Sequence, residues 1–214
     1  MIIKRYVQSC FSIKFEDLII YFDPYKIPEN ADKADLIFIT HGHPDHYDKK
    51  AIQNIIKDNT KIICPASCKK IIKAWNATEV SPNETISLKG LDITMVPMYN
   101  TKFLVKTFFH PKRKNYTGYL IGDGTIKIYH AGDTNLIPEM SNLGTVDIAF
   151  LPIGGFFTMN LVEAIEATAL INPRFVIPMH ELKQNLENFK IYIQEKLPNT
   201  KPIILTSEND IFEL

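Results

Sequence analysis

Cysteine, tryptophan and any surplus of charge are what this chain has least of. It holds three cysteines and one tryptophan among 214 residues, and its 24 basic side chains equal its 24 acidic ones. An odd, small cysteine count excludes a fully paired intrachain disulfide framework and fits a reducing environment, so a cytoplasmic location is expected. Zero net charge removes any global attraction to nucleic acid or anionic membrane; only a local patch would supply it. No window holds the roughly 18 apolar residues that span a bilayer. The opening MIIKRYVQSCFSIKFEDLIIYFDP has neither the long apolar core nor the small-residue cleavage pattern of a secretion signal. Linkers, low-complexity tracts and repeats of fixed period are absent too. What is present is ordinary globular composition, 45% hydrophobic and 22% charged, sufficient for one domain over residues 1–214.

Short apolar runs alternate with turn signals. Asp17–Pro24 is a β-rich run stopped by Asp-Pro, and Ala34–Thr40 is continuously apolar, as a strand buried on both faces would be. TKIICP, LDITMVPMYN, TGYLIGDGTIKIYHAGDT, Val146–Gly154 and RFVIPMH read as further strands, with Asp123-Gly124 marking a hairpin turn. KKAIQNIIKD, ASCKKIIKAW, NLVEAIEATAL with Asn160 as N-cap, and NLENFKIYIQEKL carry helical spacing. KPIILTSENDIFEL reads as a closing strand pair. The pattern predicts an α/β fold of two mixed sheets covered by helices.

Histidine is sparse too, at six residues, yet three of them fall in THGHPDHYD, Thr40–Asp48, together with two aspartates. In a near-extended loop, residues two apart point the same way, so His41 and His43 can grip one ion. Adjacent Asp45 and His46 diverge, which frees His46 to turn towards a second ion. Imidazole nitrogen and carboxylate oxygen are ligands zinc accepts at about 2.0–2.2 Å. Gly42 would permit an awkward backbone angle and Pro44 would stiffen the loop. A polar turn after a strand is the plain alternative, but four ligand-type side chains at this spacing favour metal.

HGHPDH at the end of an apolar strand resembles the H-x-H-x-D-H signature of the metallo-β-lactamase superfamily. YHAGDT resembles the family's bridging-aspartate motif, VIPMH resembles its last ligand motif, and GYLIGDGTIKIYHAGDT and LPIGGFFTMN are similar to its small UlaG-like branch of lactonases and metal-dependent hydrolases. The resemblance implies a four-layer αββα sandwich and a binuclear centre. His41, His43 and His110 would hold the first cation, Asp45, His46 and His180 the second, and Asp133 would bridge them. Asp45 and Asp133 are the implied catalytic carboxylates. No local motif fixes His110, and His130, three residues before Asp133, competes with it; the alternative for His130 is a packed or ligand-orienting histidine. Zn²⁺ is the expected metal, with Mn²⁺ and Fe²⁺ compatible with an N/O donor set.

Two such cations lower the pKa of a shared water towards neutrality and stabilise a developing oxyanion. The implied reaction is attack of a metal-bridging hydroxide on an ester, lactone or phosphodiester of a small molecule. The basic, aromatic run Lys106–Tyr116 beside His110 favours a phosphorylated substrate, although a solvated loop reads equally well. Long nucleic acid is disfavoured by the zero net charge. The alternatives are a metal-binding or regulatory protein without turnover, and a di-iron redox protein; the second is opposed by His43, where redox relatives carry a carboxylate. Cys64 and Cys68, spaced as ligands, lack partners and read as inert thiols. Phe156 and Phe157 would either wall a pocket or join the core, and Tyr47 and Asp48 are candidates to support the ligands.

Overall fold

The apolar runs become strands in a computed structural model that describes residues 1–101, 109–207 and 210–214. Two compact units result, Met1–Val80 with Leu205–Leu214, and Ser81–Ile204.

The first unit contains strands β1 (Ile2–Arg5), β2 (Phe11–Phe15), β3 (Leu18–Phe22), β4 (Leu36–Phe38), β5 (Lys61–Pro65) and β6 (Thr78–Val80), with helices α1 (Lys49–Ile55) and α2 (Lys69–Trp75). The last strand of the chain, Ile211–Glu213, returns to this unit and pairs antiparallel with β1. β1, β2 and β3 form an antiparallel meander, and β3, β4, β5 and β6 then run parallel. β4 is buried along its whole length, which explains why its sequence does not alternate. Ile37 and Ile39 join a cluster with Ile52, Ile55, Ile62 and Ile71 under the two helices, while Leu36 and Phe38 are equally buried on the other face. Asp48 caps α1 by accepting from the Lys50 N–H. That helix ends at Ile55, earlier than its apolar spacing predicts, because Ile56 is extended and the Thr60 hydroxyl captures the Lys57 N–H.

The second unit repeats the succession. β7 (Thr85–Leu88), β8 (Leu91–Met98), β9 (Tyr116–Gly122) and β10 (Lys127–His130) form an antiparallel meander. β10, β11 (Ile148–Pro152), β12 (Phe175–Met179) and β13 (Lys201–Pro202) run parallel. Helices α3 (Leu161–Ile171) and α4 (Leu186–Lys196) complete the unit. Asn160 opens α3 through a reciprocal capping box with Glu163, as its position predicts. The β9–β10 turn is the predicted hairpin: the Asp123 carboxylate accepts from the Thr125 and Ile126 N–H groups.

The expected closing strand pair does not form. β13 extends the second unit's sheet alongside β12, and β14 (Ile211–Glu213) extends the first unit's sheet alongside β1. Each has an open strand edge to satisfy, which a hairpin between them would leave bare. No helix among the described residues is long and apolar enough to cross a membrane.

Candidate metal centre

In the first unit the ligand-type side chains follow β4, where parallel strands end. His41 and His46 are fully buried, and Asp45 is about a third exposed, at 36%. The organiser is Asp23, a buried carboxylate just past β3 that sequence reading treated only as a strand stop. Its Oδ1 accepts from the Thr40 N–H at 2.7 Å; its Oδ2 accepts from the Thr40 hydroxyl at 2.8 Å and from His46 Nδ1 at 2.7 Å. Since the Thr40 hydroxyl proton goes to Asp23, its oxygen is the acceptor for His41 Nδ1 at 3.0 Å. Both rings therefore carry their proton on Nδ1 and turn Nε2 outward as a lone-pair donor, the orientation metal-ligating histidines take.

His41 Nε2 lies 2.9 Å from His43 Nδ1, so the predicted pair does converge. Asp45 and His46 do not diverge as adjacent positions suggest: Asp45 Oδ2 comes to 3.9 Å from His46 Nε2. The loop turns there, with the His46 and Tyr47 N–H groups both donating to the His43 carbonyl, and the turn swings the two side chains together. Gly42 is not in the left-handed region. A Cβ there would meet only Cys68 Sγ, at 3.8 Å, so the awkward backbone angle expected of it is not found. Tyr47 accepts from the Trp75 indole and Asp48 caps α1, so both brace the loop from behind.

In the second unit His110 precedes β9, Asp133 follows β10 and His180 follows β12. Asp133 Oδ2 stands 3.3 Å from His180 Nε2 and 3.9 Å from His110 Nε2, with all three groups buried. Asn100, another residue missed from sequence, orients His110. Its Nδ2 donates to the Phe157 carbonyl at 2.8 Å, so its Oδ1 faces the imidazole and accepts from Nδ1 at 3.0 Å. His180 sits at φ +47. Gly154 makes room beside it, because a Cβ at that position would fall 2.4 Å from the His180 carbonyl oxygen. His130 is buried within β10, its ring 5.8 Å from that of Phe150.

The Cys64–Cys68 pair fits inert thiols: the hydrogen bond the Cys64 S–H gives to Cys68, and then burial, push the Cys64 thiol up, away from thiolate chemistry. Of the basic run, Lys106–Phe108 lies outside the described residues. Lys112 is already engaged, 3.0 Å from Glu139 and 3.3 Å from the Tyr99 hydroxyl. The chemistry of the donors suits a divalent cation: imidazole nitrogens and carboxylate oxygens, with His41, His46 and His110 held by their far nitrogens. His41, His43, Asp45 and His46 in the first unit, and His110, Asp133 and His180 in the second, are the candidate metal-binding residues.

The model described as Beta-lactamase superfamily domain matches residues 3–180, and the chain belongs to that superfamily. Within it, the chain is 32% identical over 221 residues to the UPF0173 metal-dependent hydrolase of Nanoarchaeum equitans, across 99% of both chains, and is a member of that family of metal-dependent hydrolases. The fold agrees. Among the described residues, its two mixed sheets and four helices match a crystal structure from Parabacteroides distasonis, described as a candidate metal-dependent hydrolase, with a TM-score of 0.86 at 32% identity, covering 94% of this chain and 91% of that one. The metallo hydrolase Igni18 of Ignicoccus hospitalis shares the fold at a TM-score of 0.81 and 23% identity, covering 100% and 98% of the two chains.

Proposed function

We propose that the whole chain acts as one catalytic module that hydrolyses an ester, lactone or phosphodiester with two divalent cations, most simply Zn²⁺. The observation that carries this reading is Asp133 Oδ2 set between the Nε2 atoms of His180 and His110 at 3.3 and 3.9 Å. A carboxylate flanked in this way is suited to bridging. On this reading His41, His43 and His110 serve one cation, Asp45, His46 and His180 the other, and Asp133 both. His110 is preferred to His130 because Asn100 turns its Nε2 towards Asp133. When bound, the cations supply Lewis-acid polarisation and acidify a water.

The chain's own groups do the rest. Asp23 and Asn100 hold ring orientation, and the burial of His41, His46, His110, Asp133 and His180 keeps bulk water from them, which strengthens the charge interactions they make. Asp45, partly open to solvent, is placed to accept a proton from an incoming water. Asp133 would offer a carboxylate oxygen to each cation. The three free, buried cysteines fit a reducing, cytoplasmic setting.

The test is elemental analysis of purified protein followed by assay against aryl esters, lactones and bis(4-nitrophenyl) phosphate. Two metal ions per chain and hydrolysis abolished by chelation are expected. Two bound ions with no hydrolysis across the panel would instead leave a metal-binding protein without turnover.

A further inference from the structure

Three phenylalanines of the second unit form one continuous aromatic cluster. The Phe109 and Phe157 ring centroids are 4.0 Å apart, and those of Phe157 and Phe156 are 4.3 Å apart. These are not core rings: Phe156 is 56% exposed and Phe109 40%, whereas Phe150 in β11 is fully buried. The cluster is joined to the candidate ligands through the backbone. Phe109 directly precedes His110, and the Asn100 amide that orients His110 also donates to the Phe157 carbonyl. Leu182, two residues after His180, is 50% exposed and would lie 3.1 Å from a Cβ at Gly154, where the loop bearing Phe156 and Phe157 begins.

Apolar groups therefore border both His110 and His180. Among the described residues of the basic run, Lys112 is turned to Glu139 and lies over the Tyr99 ring at 4.4 Å. Exposed aromatic surface is costly to hydrate, and a concentrated patch of it marks a binding surface. We infer that Phe109, Phe156, Phe157 and Leu182 form the subsite for an apolar substituent, so that the substrate is an ester or lactone with an aryl or long acyl group rather than a phosphorylated compound. This inference rests on the hydrolase reading above and narrows its substrate class.

Calorimetric titration of the zinc-loaded protein with acetate, 3-phenylpropanoate and inorganic phosphate tests the subsite without requiring turnover. The phenyl ring is expected to tighten binding at least about tenfold over acetate, the scale of burying one ring. Phe156→Ala and Leu182→Ala should each remove most of that gain, while Val162→Ala, at an equally exposed position on α3, leaves it intact. Equal affinity for acetate and 3-phenylpropanoate, a gain that survives both substitutions, or tighter binding of phosphate overturns the subsite. The two readings fail separately. A phenyl gain lost in the variants, with no ester cleaved, removes the reaction and keeps the subsite. Metal-dependent cleavage at one rate for every acyl length, with no phenyl gain, removes the subsite and keeps the reaction.

Discussion

The first unit draws four ligand-type side chains from the short span His41–His46 after one strand, whereas the second gathers three from the flanks of β9, β10 and β12, far apart in sequence. The two units nevertheless share one strand succession, an antiparallel meander followed by parallel strands. They also share a device, a buried polar side chain holding a histidine by its Nδ1. The first unit uses a carboxylate, Asp23, and the second a neutral amide, Asn100. The contrast shows that one sheet plan can arm its strand ends either by a local motif or by long-range convergence. It also makes His46 the more firmly held of the two rings, since a charge-assisted hydrogen bond is roughly twice as strong as a neutral one.

The sharpest way to break the comparison is to remove ligands from each half. His41→Ala or His46→Ala should drop bound metal below two ions per chain and abolish hydrolysis, and Asp133→Asn should be at least as damaging because it weakens both ions; elemental analysis and ester assay read the outcome. If either histidine variant keeps both ions and full rate, the assignment is wrong.

Next come the two braces. Asp23→Asn should lower metal affinity by about 10–100-fold, the usual loss for such an outer partner, with Asn100→Ala at the weaker end of that range. Competition against a chelator of known affinity measures both. An equal loss would erase the proposed difference between the two braces.

Gly154→Ala forces a methyl group into the His180 carbonyl. It should destabilise the second unit by about 1–3 kcal/mol, seen in denaturant unfolding, and weaken metal retention without removing a ligand side chain. The smallest effect on metal belongs to His130→Ala. It should cost stability through a cavity behind Phe150 yet leave metal content unchanged, while His110→Ala loses metal. The reverse pattern would exchange their roles.

How much of this was legible in the sequence follows the same division. His41, His43, Asp45 and His46 announce themselves because ligand spacing within one loop is a local signal, and the continuous apolar run before them marks a strand buried on both faces. Asp133 and His180 could be placed only through resemblance to known motifs, since nothing near them in the chain reveals that strands distant in sequence end side by side. His110 was set ahead of His130 only by resemblance, because the contact that favours it in the fold is with Asn100, ten residues from one and thirty from the other, a pairing that leaves no mark in the sequence. Asp23 was hidden differently: Asp-Pro after a strand is also the ordinary spelling of a turn. The closing strands misled because two neighbouring β-runs usually pair with each other, and here each was claimed by a different sheet.

His180 combines a side chain aimed at Asp133 with a left-handed backbone, φ +47, a conformation that taxes any residue bearing a Cβ by roughly 1–2 kcal/mol. The chain carries an imidazole where geometry alone would select glycine. A His180→Gly chain should accordingly outlast a His180→Ala chain on heating, although neither can reach a cation from that position: on the proposed function, the end of β12 is held for its chemistry and against its own conformational preference.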